Sequence, residues 1–99
     1  MASLAARTDV RELNPALGSI GELKNVIVHS VLEQRGFTDV VNTPSEVAGN
    51  RGGCRLSILH LHIADRSFWR VVMCACDNFD NARASVDEVA DAINRLSFL

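Results

Sequence analysis

The sequence predicts a single α+β domain: a three-stranded antiparallel sheet with two helices packed on one face, in the order helix, strand, strand, strand, helix. Two observations carry this. Helical apolar periodicity, with caps, occurs near each end of the chain, and residues 55–76 alternate like two long strands around a polar turn. With 99 residues, the chain forms one domain, able to build a single core. Residues 1–18 show no strong period and read as an N-terminal arm or a short helix.

The first helix opens at Ser19-Ile20-Gly21-Glu22, a capping box in which Ser19 and Glu22 satisfy each other's exposed amides. Ile20, Leu23, Ile27 and Val31 follow at helical spacing, widened by Val26, Val28 and Leu32. Gly36 suits the left-handed position that ends a helix, with Phe37 folding back on Leu32. Residues 37–42 form a short strand closed by Thr43-Pro44. Residues 45–53 form a polar loop ending in Gly52-Gly53, followed by the long hairpin and a turn-rich stretch over 77–84. Ser85-Val86-Asp87-Glu88 is a second capping box, and behind it Val86, Val89, Ala90, Ile93 and Leu96 form one stripe.

Within the hairpin, the register decides which side chains share a face. A loop at Asp65-Arg66-Ser67 places Leu59, Leu61, Ile63, Trp69, Val71, Met73 and Ala75 on a face covered by both helices. Ile58, His60, His62, Arg70, Val72, Cys74 and Cys76 then fall on the other. A two-residue loop would join the histidines to Trp69, Val71 and Met73 and set Arg70 among leucines. Burying an unpaired arginine is costly, and Arg66-Ser67 lacks the Asn-Gly character of two-residue turns. The longer loop is therefore expected.

This register makes His60, His62, Arg70 and Cys74 the candidate ligand- or partner-binding residues, with Trp69 at their margin. Imidazole and thiolate are zinc ligands, but residues two apart on a strand are roughly 6.5–7 Å apart at the backbone, too far for Cys74 and Cys76 to share one metal. No metal, cofactor or catalytic residue is assigned. Residues 48–53 lack the Gly-Lys-Ser/Thr ending of a phosphate loop, and residues 77–81 place Phe79 at a calcium-ligand position. Three cysteines, with no secretion signal at the start of the sequence, point to a reducing, cytoplasmic setting.

The formal charge of −2, with no basic stripe, excludes a nucleic-acid partner, and no apolar run is long enough to span a membrane. Over residues 20–96 the element order resembles that of double-stranded-RNA-binding domains. Where that family carries a basic cluster, this chain has Ala84-Ser85-Val86-Asp87-Glu88, whose charge repels phosphate. The expected function is a non-enzymatic binding or interaction module. Its expected partner is itself, as a homodimer, with a small molecule or a protein as the other possible ligand of the uncovered face. The alternative is a small enzyme or metal-binding protein built on His60, His62 and Cys74.

Overall fold

The structure, a computed structural model, describes residues 10–13, 22–76 and 78–96. The elements run β1 (Val10–Glu12), α1 (Glu22–Gln34), β2 (Thr38–Thr43), β3 (Glu46–Arg51), β4 (Cys54–Ile63), β5 (Arg66–Ala75) and α2 (Phe79–Asn94). The strands form one antiparallel sheet in the order β1-β5-β4-β3-β2. The α+β class holds, but the sheet has five strands, not three. The added strands are β1, and β3 where a polar loop was expected. Glu-Val-Ala-Gly-Asn-Arg has little intrinsic β preference; β3 is a strand because β2 and β4 pair with it on both sides.

Tight turns connect the strands. Gly52 and Gly53, with φ of 59° and 78°, link β3 to β4, a conformation open to glycine without steric cost. Gly36, with φ of 86°, ends α1 as expected. The amide of Phe37 bonds the Leu32 carbonyl and that of Gly36 the Glu33 carbonyl, both at 3.1 Å, which together make a Schellman cap.

One face of the sheet receives both helices. Val47, Leu56, Ile58, Trp69, Val71 and Met73 meet Val28, Val31 and Leu32 of α1 and Val86, Val89, Ala90 and Ile93 of α2, all buried. The α1 stripe is therefore centred on Val28, Val31 and Leu32, leaving Val26 62% exposed. On the same face, a Cβ at Gly49 would lie 3.1 Å from the Phe37 Cβ, so the missing side chain lets the α1–β2 corner close onto β3.

α2 starts about two turns earlier than its apparent capping box. Asn78 is the N-cap, its side chain accepting from the Asn81 amide at 2.9 Å. Ser85 instead lies inside the helix, buried, and takes a hydrogen bond from Arg51 Nη2 at 3.1 Å. The first proposed capping box, at Ser19, lies outside the described residues. Arg51 ties three elements together: it bonds Glu88 at 2.8 Å, the Arg35 carbonyl at 2.9 Å, and stacks 4.3 Å over the Phe37 ring. Through these bonds and a second contact from Arg35, the Glu88 carboxyl is held below its ordinary pKa, outweighing the opposing effect of partial burial.

Candidate functional site: the open face of the sheet

The hairpin register differs from the expected one. Ile63 pairs with Arg66 and His62 with Ser67, so Ala64 and Asp65 alone make the turn. Both have positive φ, 51° and 65°, as a type I′ turn requires. The parity of β5 against β4 is thereby inverted. His60 and His62 share a face with Trp69, Val71 and Met73, on the helix side. Leu59, Leu61 and Ile63 share the opposite face with Arg66, Phe68, Arg70 and Val72.

The expected cluster of His60, His62, Arg70 and Cys74 is thus divided between two faces. His60 stacks on Trp69, with ring centroids 4.7 Å apart and planes 7° from parallel, and its Nε2 contacts the Ser67 hydroxyl. His62 is exposed, its ring centred 4.4 Å from that of His60. Cys74 is half-buried on the other face, where its thiol donates to Ser57 Oγ at 3.1 Å. A combined His60/His62/Cys74 site is not assembled, and among the described residues no group of three His, Cys, Asp or Glu side chains is placed to hold a metal.

Cys76 leaves this face as well. The β4–β5 register shifts between Arg55 and Leu56, and the extra residue on β5 turns Cys76 to the helix side. There it forms a disulfide with Cys54, the Cα atoms 4.4 Å apart and both residues buried. The odd cysteine count thus reflects one bridge plus one thiol, rather than the three thiols expected. No helix among the described residues is long and apolar enough to cross a membrane.

Arg70 is only partly buried on the leucine face, where among the described residues no helix packs, although its Nε is buried without a hydrogen-bond partner. The Arg70 side chain is 39% exposed and lies 3.7 Å from Glu12; Arg66 lies 3.2 Å from the same carboxylate. Both guanidiniums flank the Phe68 ring, at 5.1 and 5.0 Å, a cation–π sandwich. Phe68 is only 6% exposed. Cross-strand pairing arranges the face in rows. One row reads Thr43, Glu46, Leu59, Arg70, Glu12; the next reads Val41, Ala48, Ser57, Val72. Beyond the first row the hairpin continues as two strands alone, carrying Leu61 and Phe68, then Ile63 and Arg66.

The sequence places Arg70, Val72 and Cys74 on the uncovered face but puts Leu59, Leu61 and Ile63 under the helices and gives Phe68 no role. The alternation within each strand was a usable signal for them; the turn that couples the strands was not. The rest of the surface offers a shallow groove between α1 and the β2 edge, lined by Val26, His29, Ser30, Glu33 and Asn42. There His29 pairs with Glu33 at 3.2 Å. No protein-family model, curated protein or solved structure matches this chain.

Proposed function

We propose that this protein is a non-enzymatic interaction module that self-associates through the open sheet face. The observation that carries this reading is a set of exposed and half-buried apolar side chains on one sheet face, Val41, Leu59, Leu61, Ile63 and Val72, with a rim of Glu12, Glu46, Arg66 and Arg70. Ile63 is 59% exposed and Val41 46%. Contiguous apolar surface with a polar rim marks an interaction site, and a two-fold homodimer is the commonest way for such a surface to be covered.

The edges of the sheet are poorer docking sites. β1 has three residues, and β2 is interrupted by a register shift near Asp39, whose φ is 52°. Short and irregular edges resist strand addition. Association is therefore expected face to face.

Light scattering coupled to size exclusion, across a concentration series, tests the reading. The wild type is expected to run as a dimer at tens of micromolar, and Leu61→Arg as a folded monomer. Leu61 lies on the two-stranded part of the hairpin, away from the helix-covered core, so its replacement leaves the fold intact. A wild-type protein that stays monomeric to several hundred micromolar would overturn the proposal.

A further inference from the structure

We infer that two copies meet open face to open face about a two-fold axis running along β4 through Leu59, so that Arg70 of each copy lies against Glu46 of the other. This rests on the self-association proposed above and specifies its geometry.

The row Glu46–Leu59–Arg70 spans three neighbouring strands, β3, β4 and β5, with opposite charges on either side of an apolar centre. Two in-plane two-fold axes pass through Leu59. An axis along the row, perpendicular to the strands, would stack Arg70 on Arg70 and Glu46 on Glu46, and like charges juxtaposed across an interface are strongly disfavoured. An axis along β4 exchanges β5 with β3. It brings each Arg70 over a Glu46, twice by symmetry. Packed sheets lie about 10 Å apart, a gap that an arginine and a glutamate reaching from opposite sides can close.

The ends of the row agree with the second axis. Glu12 on β1 falls over Thr43 on β2, a carboxylate against a hydroxyl. Leu59, Leu61 and Ile63, all on β4, lie along the axis and meet their own copies. Arg55 also lies near the axis, four residues from Leu59, at the rim where twisted sheets diverge.

The charges are poised for such an exchange. Among the described residues Glu46 has no ion-pair partner. Arg70 shares Glu12 with Arg66, and its buried Nε has no hydrogen-bond acceptor. Ala48 and Ser57 are fully buried within the chain, so the contact is carried by Leu59, Leu61 and Ile63 on β4 with Glu46 and Arg70 on either side.

Sedimentation equilibrium on the wild type, Glu46→Arg, Arg70→Glu and the double variant decides the axis. Each single reversal is expected to raise the dimer dissociation constant at least about tenfold, and the double to return it to within about threefold of wild type. Circular dichroism confirms folding; if a reversal fails to fold, Glu46→Gln and Arg70→Gln replace it, each weakening the dimer without the double weakening it further. A wild-type dimer whose double variant is no tighter than the singles overturns the axis while leaving self-association standing. A monomeric wild type overturns both.

Discussion

His60 lies flat against Trp69, 4.7 Å between ring centres, and this one contact establishes the side of the sheet to which the histidines belong. Trp69 is 2% exposed beneath the helices, so its stacking neighbour extends the core outward along the hairpin. His60 is thereby part of the packing at the hairpin, and the opposite face carries leucine, phenylalanine and arginine.

Removing that ring has a defined consequence. His60→Ala loses an aromatic pair, worth about 0.5–1.5 kcal/mol beyond area burial, together with the Ser67 contact. The expected loss is about 1–2 kcal/mol in urea unfolding, with a shift in Trp69 fluorescence. Because His60 faces away from the proposed interface, the oligomeric state should match wild type. A His60→Ala variant of unchanged stability and weakened association would instead place the imidazole in the interface.

The Cys54–Cys76 bridge joins the open ends of β4 and β5 across 22 positions of sequence. Closing a loop of this size in the unfolded chain stabilises the fold by roughly 3 kcal/mol in the chain-entropy description. Cys54→Ala/Cys76→Ala should lower the denaturation midpoint accordingly and be insensitive to reductant. Thiol titration of the denatured, unreduced wild type should find one reactive group, assigned to Cys74 by mass spectrometry. Three reactive thiols would show that the bridge does not form in solution.

Glu88 confers a pH dependence of known sign. Its hydrogen bonds and charge interaction with Arg51, joined by Arg35, lower its folded-state pKa below the ordinary value. The stabilisation is fully present above the unfolded-state pKa and is lost as pH falls through the folded one. Glu88 is 37% exposed, so the expected contribution is modest, about 0.5–1 kcal/mol at neutral pH. Thermal unfolding of Glu88→Gln from acid to neutral pH should show a lower plateau and a shallower acid limb. An acid limb identical to wild type would mean that the carboxylate does not govern it.

Much of the fold was legible because local physics decides it. Gly36 with Phe37 ends α1 as its sequence indicates, since only a residue tolerant of positive φ closes that cap. The spacing of Val86, Val89, Ala90 and Ile93 marked the buried side of α2. Its start was misread because Ser85-Val86-Asp87-Glu88 matches a capping box that Asn78 pre-empts: once Asn78 starts the helix, Ser85 is an interior residue. β3 was not legible, because its pairing partners rather than its own residues make it a strand.

The alternation of side chains within β4 and within β5, and the buried stripe of α2, were legible in the sequence alone. The sequence did not determine how the two alternations combine. That depended on whether two residues or three make the turn, and Ala64-Asp65 carries no glycine or asparagine to announce a type I′ geometry. Only the tertiary structure settled the register, because the competing pairings differ chiefly in which whole face is buried. Seating Leu56, Ile58, Trp69, Val71 and Met73 together under two helices gains more apolar burial than a favourable turn residue contributes. The same inversion sent the histidines to the helices and left Leu59, Glu46 and Arg70 in a row on the open face.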